Sequence, residues 1–585
     1  MESFHFSVSD YAVGIMVLLV PVLIGCVFAV KDKDRVTRQE YLLGGRRMNL
    51  LPVAMSIFIT FASAVSQIGI PAEVYMYGSM YIIMGIGISL SYIVGVFTLV
   101  PLVYPLGLTS MYEYLLLRYR SNAVRMLSTV IGMMTTILYM AIALLSPALA
   151  LEASAGIPLW MSIVLVGGVG TIYTTIGGIK SVIWTDAFQT IIVFVGIFTM
   201  IVKGVLEVGS VSEVFAISQK GERTTLDTLG PDPRTRHTYL GCLIGGMFMM
   251  LVNGFNQSTV QRINSMKNLK KAKQSYCILI PFALIYNFIL VIVGNIIYAY
   301  FANKRCDPYE AGSISNRNQV APFFVLDAMN DLPGMAGLYV ATLCCGSLST
   351  LSSGINALAA NTVEDILRNP LKTFSERAIT RIVKLSALIH GTVIVGIAYG
   401  AQFLHGPVTQ MVNTIFGAFG SPILGIFLLG ASVPWANKYG AAFGAIGSLT
   451  FNIWVSVGSR LYGRKLIQLD SVPVDGCLVN QTSLETSYHN ITLMLESSHV
   501  ENTTTSQFSF ILYDISYEWY SVLGCLLCII LGLLVSYLTK SLMSGKPTTD
   551  GKLIFPFLRT FWEMDDKVGT SNTILHAFDG DITHL

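Results

Sequence analysis

Charged residues are scarce in this chain. Of its 585 residues only 12% are Asp, Glu, Lys or Arg, against roughly 25% in an average soluble domain. Hydrophobic residues make up 53%, so too little polar surface is available to cover a globule of this size in water. The Lys and Arg residues are dispersed and form no basic stripe of the kind that binds nucleic acid. These absences exclude a soluble globular protein and a nucleic-acid-binding protein.

Several motifs of membrane enzymes and channels are missing as well. The sequence contains no G-x-x-x-x-G-K-[ST] nucleotide loop and no H-E-x-x-H metal motif, which argues against an ATP-driven pump and against an enzyme. It also lacks a TVGYG filter and a helix with Arg at every third position, the features of familiar ion channels. We therefore predict that the protein is not an enzyme. A channel and a solute sensor are less favoured interpretations of the sequence, and both stay open.

Long apolar segments are what the chain does have. A transmembrane helix needs about 20 mostly apolar residues, and a backbone in lipid must satisfy its own polar groups, as a helix does. We therefore predict an all-α polytopic membrane protein with thirteen spans. These lie roughly at residues 11–30, 50–75, 79–105, 123–150, 158–177, 181–205, 238–262, 275–301, 335–366, 382–404, 408–433, 440–458 and 518–540.

The basic residues orient these spans. Most of the 37 Lys and Arg residues, including those of the loop 262–273, fall on one side when the N-terminus is placed outside, and cytoplasmic loops are rich in Lys and Arg. We predict a plasma-membrane protein with a thirteen-span membrane domain over 1–541 and a cytoplasmic tail over 542–585. The polar loop 459–517 then lies outside, where its three sequons predict glycosylation of Asn480, Asn490 and Asn502.

Two further features lie in loops or at the end of the chain. Cys306 and Cys477 fall in loops assigned to the oxidising side, where they could form a disulfide. The other cysteines lie in spans and are expected to act as small apolar residues. The C-terminal tripeptide Thr583-His584-Leu585 could fit the groove of a PDZ protein; a free solvated tail is the alternative.

Polar residues and glycines interrupt two of the predicted spans. In the second span these include Thr60 and Ser63, and in the seventh they form the run 253–257, Asn-Gly-Phe-Asn-Gln. Broken helices are tolerated in lipid where the freed carbonyls line a cavity or bind an ion. Matching breaks in two halves predict inverted repeats, here over about 50–205 and 238–433, with a binding site at the midplane. Close packing of helices through small residues is the alternative.

The ninth predicted span is unusually rich in hydroxyl groups. Within it Ser349, Ser353 and Asn356 recur at i, i+4 and i+7, so they share one face of a helix. Hard cations such as sodium prefer oxygen ligands. This pattern therefore indicates a weakly charged cation site that can also release its ion.

Five segments match a known family in the order in which they occur. They are GGRRMNLLPVAMS, PLGLTSMYEYLLLRY, GGIKSVIWTDAFQ, NGFNQSTVQR and GSLSTLSSGINALAANTVED. Together they resemble the sodium:solute symporter family, and most closely its branch of sodium-coupled monocarboxylate, iodide and multivitamin symporters. The resemblance implies a LeuT-like five-plus-five inverted repeat, with one extra N-terminal helix and further C-terminal helices.

The resemblance also implies where sodium binds. The site would lie between the second and ninth spans. Its ligands would be the backbone carbonyls of Ile59, Ala62 and Gly346 and the hydroxyls of Ser349 and Thr350. Asp186 resembles the family's acidic residue near the inner sodium path; a charge that favours the dipole at a helix start is the alternative.

A substrate position follows from the same resemblance. It would lie near Ser63, Ser66, Tyr139 and Phe255. Because no Arg or Lys is predicted in the middle of a span, an anion would be held by sodium, hydroxyls and helix N-termini. Iodide symporters of this branch have Gln where Ser66 stands, which favours a small carboxylate over iodide.

These observations predict a sodium-coupled secondary active symporter that imports a small organic anion. A monocarboxylate is favoured, and vitamins such as biotin or pantothenate, or inorganic anions like iodide, are the alternatives. Each sodium ion that enters down 100 mV supplies about 2.3 kcal/mol. Because 1.4 kcal/mol corresponds to a tenfold ratio, one ion is sufficient for accumulation against a gradient.

Overall fold

The structure, a computed structural model, describes residues 6–31, 37–226, 228–230, 232–403, 406–464, 468–477, 510–540 and 549–563. Within these ranges the elements are helices and there is no β-strand, so the predicted all-α fold is confirmed. Asn480, Asn490 and Asn502, and the tripeptide 583–585, lie outside the described residues.

Most of the described helices coincide with predicted spans. They are α1 (Val8–Lys31), α2 (Leu50–Phe61), α3 (Ala64–Tyr77), α4 (Ile82–Phe97), α5 (Asn122–Ala155), α6 (Leu159–Val208), α7 (Gly246–Gly254), α8 (Gln257–Asn264), α9 (Leu269–Lys304), α10 (Met335–Asn361), α11 (Glu376–Ala401), α12 (Val408–Ser432), α13 (Lys438–Tyr462) and α14 (Tyr520–Leu538). Shorter helices lie between them at Arg38–Leu43, Leu99–Val103, Glu113–Tyr119, Val211–Lys220, Val320–Ala328 and, after α14, Pro556–Arg559.

Large apolar side chains cover the outer faces of several helices. On α1, Ile15, Leu19 and Val27 are each more than half exposed, and on α14 the same holds for Leu534. A helix that is apolar on its exposed face needs an apolar surrounding. This surface is therefore typical of a multi-pass membrane protein.

The number of spans depends on how interrupted helices are counted. By length and composition, ten helices of the described chain could cross a membrane, or eleven if the bent pair α2 and α3 is one span. The predicted thirteen is not confirmed by this count and stays a prediction. Two predicted spans are joined in the 50-residue α6, which bends at Gly178 where φ is 62°. The predicted seventh span is divided between the short helices α7 and α8.

The second and seventh spans are broken in the same way. Between α2 and α3, whose axes differ by 52°, Ala62 has φ −77° and ψ 53° and Ser63 is extended. Between α7 and α8, Phe255 has φ −82° and ψ 51° and Asn256 is extended. If the chain consists of two inverted repeats, equivalent spans of the two repeats should break with the same backbone conformation. The similar dihedral angles at the two breaks therefore support the predicted repeats.

Candidate functional site

Helix α10 packs directly against the break between α2 and α3. A Cβ atom on Gly346 would lie 2.9 Å from the amide nitrogen of Ala64 and 2.5 Å from Nε2 of Gln67, so glycine is needed for this close approach. Ser349 and Thr350 follow within the next turn and are fully buried. The structure therefore brings the predicted sodium ligands of the second and ninth spans together.

Thr350 bridges the two segments. Its Oγ1 lies 2.9 Å from the carbonyl oxygen of Thr60 and 2.9 Å from that of Gly346, and it can donate to one of them at a time. The end of a helix leaves its last carbonyls without backbone partners, and at the end of α2 these include the carbonyl of Ile59. The carbonyl oxygen of Ala62 lies 3.5 Å from the Tyr286 hydroxyl. Carbonyl and hydroxyl oxygens thus gather at the break.

Ser349 connects this region to a buried carboxylate. Its Oγ donates to Oδ1 of Asp186 at 2.6 Å. Asp186 lies in α6 and is fully buried, and its second oxygen accepts from the Ser56 hydroxyl of α2. A predicted sodium ligand therefore lies one hydrogen bond away from Asp186.

The counter-ion of Asp186 is Arg262. Nη2 of Arg262 lies 3.1 Å from Oδ2 of Asp186, and both side chains are buried. The prediction that Arg262 belongs to a cytoplasmic loop is wrong, because α8 continues to Asn264 and carries the guanidinium into the interior. Nε of Arg262 also donates to Oγ of Ser56 at 2.7 Å. We call Ser56, Asp186, Arg262 and Ser349 the Asp186 cluster.

The other three serine hydroxyls between Ser347 and Ser353 of α10 make hydrogen bonds within the protein. Ser347 donates to the carbonyl of Ala143 in α5 at 2.9 Å. Ser352 and Ser353 donate to the carbonyl of Ser349 at 3.0 and 2.7 Å. These bonds favour a packing role for Ser347 and Ser352, while Ser353 also accepts from Arg262.

A cavity of about 110 Å³ lies on the other side of the break. Its walls come from the second, third and fourth predicted spans as well as from the seventh, eighth and eleventh. None of the described residues that line it is charged. The polar residues among them are Ser63, Ser66, Tyr81, Tyr92, Tyr139, Asn253, Tyr286, Asn287, Thr409 and Asn413.

Three of the four predicted substrate residues line this cavity, and Phe255 does not. Ser63, Ser66 and Tyr139 are on its wall. Phe255 instead packs on Phe427 of α12, with ring centroids 5.6 Å apart. The seventh span contributes Met249, Met250 and Asn253 in its place, because α7 stays helical to Gly254 and the chain turns away only afterwards.

A second buried ion pair joins α3 to the segment before α7. Arg236 donates two hydrogen bonds to the carboxylate of Glu73 in α3. They measure 2.6 Å from Nη2 to Oε1 and 3.0 Å from Nε to Oε2. The Thr409 hydroxyl of α12 donates to the same carboxylate at 2.7 Å. We call Glu73, Arg236, His237 and Thr409 the Glu73 cluster. Because Thr409 also lines the cavity, this cluster reaches the cavity wall there.

His237 is kept neutral in the Glu73 cluster. Its Nε2 lies 3.0 Å from the Tyr517 hydroxyl and 3.6 Å from a carboxylate oxygen of Glu73. Burial lowers the pKa of His237 to about 4, although the carboxylate of Glu73 acts in the opposite direction. The Arg236 guanidinium stacks over the ring of Tyr77, with its carbon 4.2 Å from the ring centroid.

The two loop cysteines lie together. Cys306 and Cys477 form a disulfide with their Cα atoms 4.8 Å apart. It joins the start of the segment after α9 to the end of the segment 468–477. Next to it, Asp307 accepts a hydrogen bond of 2.8 Å from the Tyr75 hydroxyl of α3, so this loop is anchored on the broken second span.

The class of the protein follows from its sequence match. Residues 41–447 match the model of the sodium:solute symporter family, and the chain belongs to this family, as the sequence predicted. Members of this family are secondary transporters and not enzymes.

Individual relatives show which transporters within the family this chain is similar to. The chain is 35% identical to sodium-coupled monocarboxylate transporter 1 of Xenopus laevis over 92% of this chain and 86% of the relative. It is 36% identical to the sodium-dependent multivitamin transporter of Oryctolagus cuniculus over 94% of this chain and 85% of the relative. The relatives thus come from two transporter groups at nearly equal identity.

Solved structures agree on the fold. The chain superposes with a TM-score of 0.73 on a substrate-bound, outward-open sodium-coupled sialic acid symporter, at 24% identity, over 91% of this chain and 98% of the other. A nucleobase-cation-symport-1 family transporter in a closed conformation gives a TM-score of 0.50 at 13% identity. The predicted LeuT-like fold is confirmed.

Proposed function

We propose that this protein imports a small monocarboxylate together with sodium across the plasma membrane. The observation that carries the proposal is the position of the oxygen-rich break between α2 and α3. On one side it faces Gly346 and Thr350 of α10, and on the other it opens on an uncharged cavity. Ion and solute would therefore bind to the same two-residue segment, which is the simplest way to couple them.

Sodium would be held by the carbonyls of Ile59, Ala62 and Gly346 and by the hydroxyls of Ser349 and Thr350. Hard cations take such oxygen ligands, and none of these groups carries a charge that would retain the ion. When Ser349 turns toward the ion, its hydrogen bond to Asp186 is lost or shared. Sodium binding would thus change the Asp186 cluster, in which α2, α6, α8 and α10 meet.

The size and polarity of the cavity favour a monocarboxylate. Sites for drug-sized ligands usually measure about 300–1,000 Å³, whereas this cavity measures about 110 Å³. A solute of a few heavy atoms suits this volume. An anion would be neutralised by the neighbouring sodium ion and would bind the hydroxyl of Tyr139 and the amide of Asn413.

Import of a vitamin such as biotin is the second candidate function. The multivitamin transporter of Oryctolagus cuniculus is as similar in sequence as the monocarboxylate transporters are. A bicyclic vitamin would require the cavity to widen, because it is much larger than a short-chain acid. Inorganic anions such as iodide are less favoured, because Ser66 stands where iodide symporters of this branch have Gln.

The surroundings of the transporter complete the proposal. The N-terminus would lie outside the cell and the C-terminus inside, with glycans on Asn480, Asn490 and Asn502 and a PDZ protein as a candidate partner of residues 583–585. The disulfide between Cys306 and Cys477 fits this orientation, since disulfides persist on the oxidising side of the membrane.

Uptake of radiolabelled solutes into expressing cells tests this function. Lactate, nicotinate, biotin and iodide are each offered with sodium and with choline in its place. We expect saturable uptake of lactate or nicotinate that choline abolishes. Uptake of biotin alone would favour the second candidate, and uptake that does not depend on sodium would contradict the proposed coupling. Currents without any uptake would indicate a sensor or a channel.

A further inference from the structure

Three amide side chains on the cavity wall each keep one polar atom without a partner. Among the described residues, Oδ1 of Asn253, Oδ1 of Asn287 and Nδ2 of Asn413 are buried and make no hydrogen bond. A buried polar atom that stays unpaired costs about 1–3 kcal/mol. These atoms therefore indicate where a bound molecule would make its polar contacts.

Asn253 differs from the other two because its amide has a fixed orientation. Its Nδ2 donates to the carbonyl of Met249, one helical turn earlier, at 3.1 Å. Turning the amide over would place Oδ1 against that carbonyl, so that two acceptors would face each other. No described residue holds the amides of Asn287 or Asn413 in this way, and either amide can turn to suit a solute. Oδ1 of Asn253 is therefore a permanent acceptor.

The backbone around Asn253 is fixed as well. Its carbonyl accepts a hydrogen bond of 3.0 Å from Oγ1 of Thr259, across the break between α7 and α8. The side chain is almost fully buried, so it has little room to reach another donor. The acceptor thus keeps its place on the cavity wall.

Two hydroxyl donors of the wall are already engaged. Oγ of Ser66 lies 2.7 Å from the carbonyl of Ser63 and 2.9 Å from the Tyr286 hydroxyl. The Thr409 hydroxyl donates to Glu73. These two hydroxyls are therefore not available to Oδ1 of Asn253, and a donor group of a bound molecule can take that position.

We propose that Asn253 is a specificity residue that favours carboxylates with an O–H or N–H donor beside the carboxylate. This inference rests on the proposed function, in which the cavity takes a small carboxylate. A 2-hydroxy acid satisfies Oδ1 of Asn253, whereas the unsubstituted acid of the same chain length leaves it buried and unpaired. A site built to bind a hydroxyl discriminates against the analogue that lacks one.

A matched pair of acids tests the proposal. Cells that express the protein take up radiolabelled 2-hydroxypropanoate in sodium, in competition with unlabelled 2-hydroxypropanoate or propanoate, which differ by one hydroxyl. We expect the half-inhibitory concentration of propanoate to be at least about fivefold higher, as the loss of one hydrogen bond implies. In Asn253→Leu, which keeps the volume but has no acceptor, the two acids should inhibit equally.

Met250→Leu is the matched control. It changes a side chain on the same wall and leaves Oδ1 of Asn253 in place, so both half-inhibitory concentrations can shift while their ratio stays. The wild-type comparison needs no variant and remains decisive if Asn253→Leu does not reach the cell surface.

The outcomes separate this inference from the proposed function. Equal inhibition by both acids in the wild type, or an unchanged ratio in Asn253→Leu, overturns the role of Asn253 and leaves sodium-coupled carboxylate import intact. If cells take up no carboxylate in a sodium-dependent way, the proposed function fails and this inference fails with it.

Discussion

The Asp186 cluster and the Glu73 cluster are built alike and connected differently. In each, a buried carboxylate is paired with a buried arginine and also accepts from a hydroxyl on another helix. The Asp186 cluster includes Ser349, a candidate sodium ligand. The Glu73 cluster includes Thr409, which lines the cavity. We therefore expect sodium to act on the first cluster and the solute on the second, on opposite sides of one binding segment.

Removing the arginine of the Asp186 cluster should have the largest effect. Arg262→Leu leaves Asp186 buried without its counter-ion, which costs about 3–5 kcal/mol. We expect a large loss of surface expression and a lower thermal stability of the purified protein. The double variant Asp186→Asn/Arg262→Gln removes both charges and should recover much of the loss. Wild-type stability of Arg262→Leu would contradict the importance of this ion pair.

The corresponding change in the Glu73 cluster should cost less. In Arg236→Leu the Glu73 carboxylate keeps the hydroxyl of Thr409, and His237 beside it can take up a proton, so we expect a loss of about 1–3 kcal/mol. Thermal unfolding of the purified variant measures this loss. Sodium dependence of residual uptake is the sharper measurement. It should stay as in the wild type for Arg236→Leu and shift for Ser56→Ala in the other cluster. The same shift in both variants would remove the distinction between the clusters.

A pair of hydroxyl deletions on α10 locates the sodium site. Thr350→Ala removes the hydroxyl that bridges α10 and the end of α2, so the sodium concentration for half-maximal uptake should rise about five- to tenfold. Ser347→Ala removes a hydroxyl that bonds to α5 instead, and it should leave the sodium dependence unchanged. Titration of uptake with sodium compares the two. If Ser347→Ala shifts the curve and Thr350→Ala does not, the assignment of ligands is wrong.

Acidification should weaken the Glu73 cluster slightly. His237 has its pKa lowered to about 4 in the folded protein, below the ordinary value of about 6.5. Between these values the unfolded state binds more protons, so stability falls as the pH falls through this window. At pH 6 the loss is about 0.8 kcal/mol. Thermal unfolding of the wild type and of His237→Gln at pH 7.5 and 6 measures it. An equal change in both proteins would contradict the role of His237.

The sequence predicts the broken helices well because they have a local cause. Glycines, hydroxyls and amides within an apolar run weaken a helix at the same place in both halves, and the breaks occur at Ala62–Ser63 and Phe255–Asn256. The number of membrane spans is harder to predict from the sequence. The predicted boundary between the spans 158–177 and 181–205 falls at Gly178, where α6 bends without ending, so one helix stands where the sequence predicts two spans.

Residue roles that depend on tertiary contacts were harder to predict. Phe255 lies in the break, yet its direction depends on Phe427, which is far away in the sequence. Arg262 looks like the first residue of a basic loop, and its partner Asp186 is 76 residues earlier. The sequence did contain one signal for the pairing of Asp186 with Arg262. A carboxylate inside a span needs a counter-charge, and an arginine within one helical turn of the end of a predicted span is a candidate for it.

Binding of radiolabelled sodium to the purified protein tests the central claim most directly. If an oxygen cage between the break and α10 holds the ion, the wild type will bind sodium saturably and the double variant Ser349→Ala/Thr350→Ala will lose most of that binding while it stays folded. Equal sodium affinity in the wild type and in the folded double variant would contradict this account.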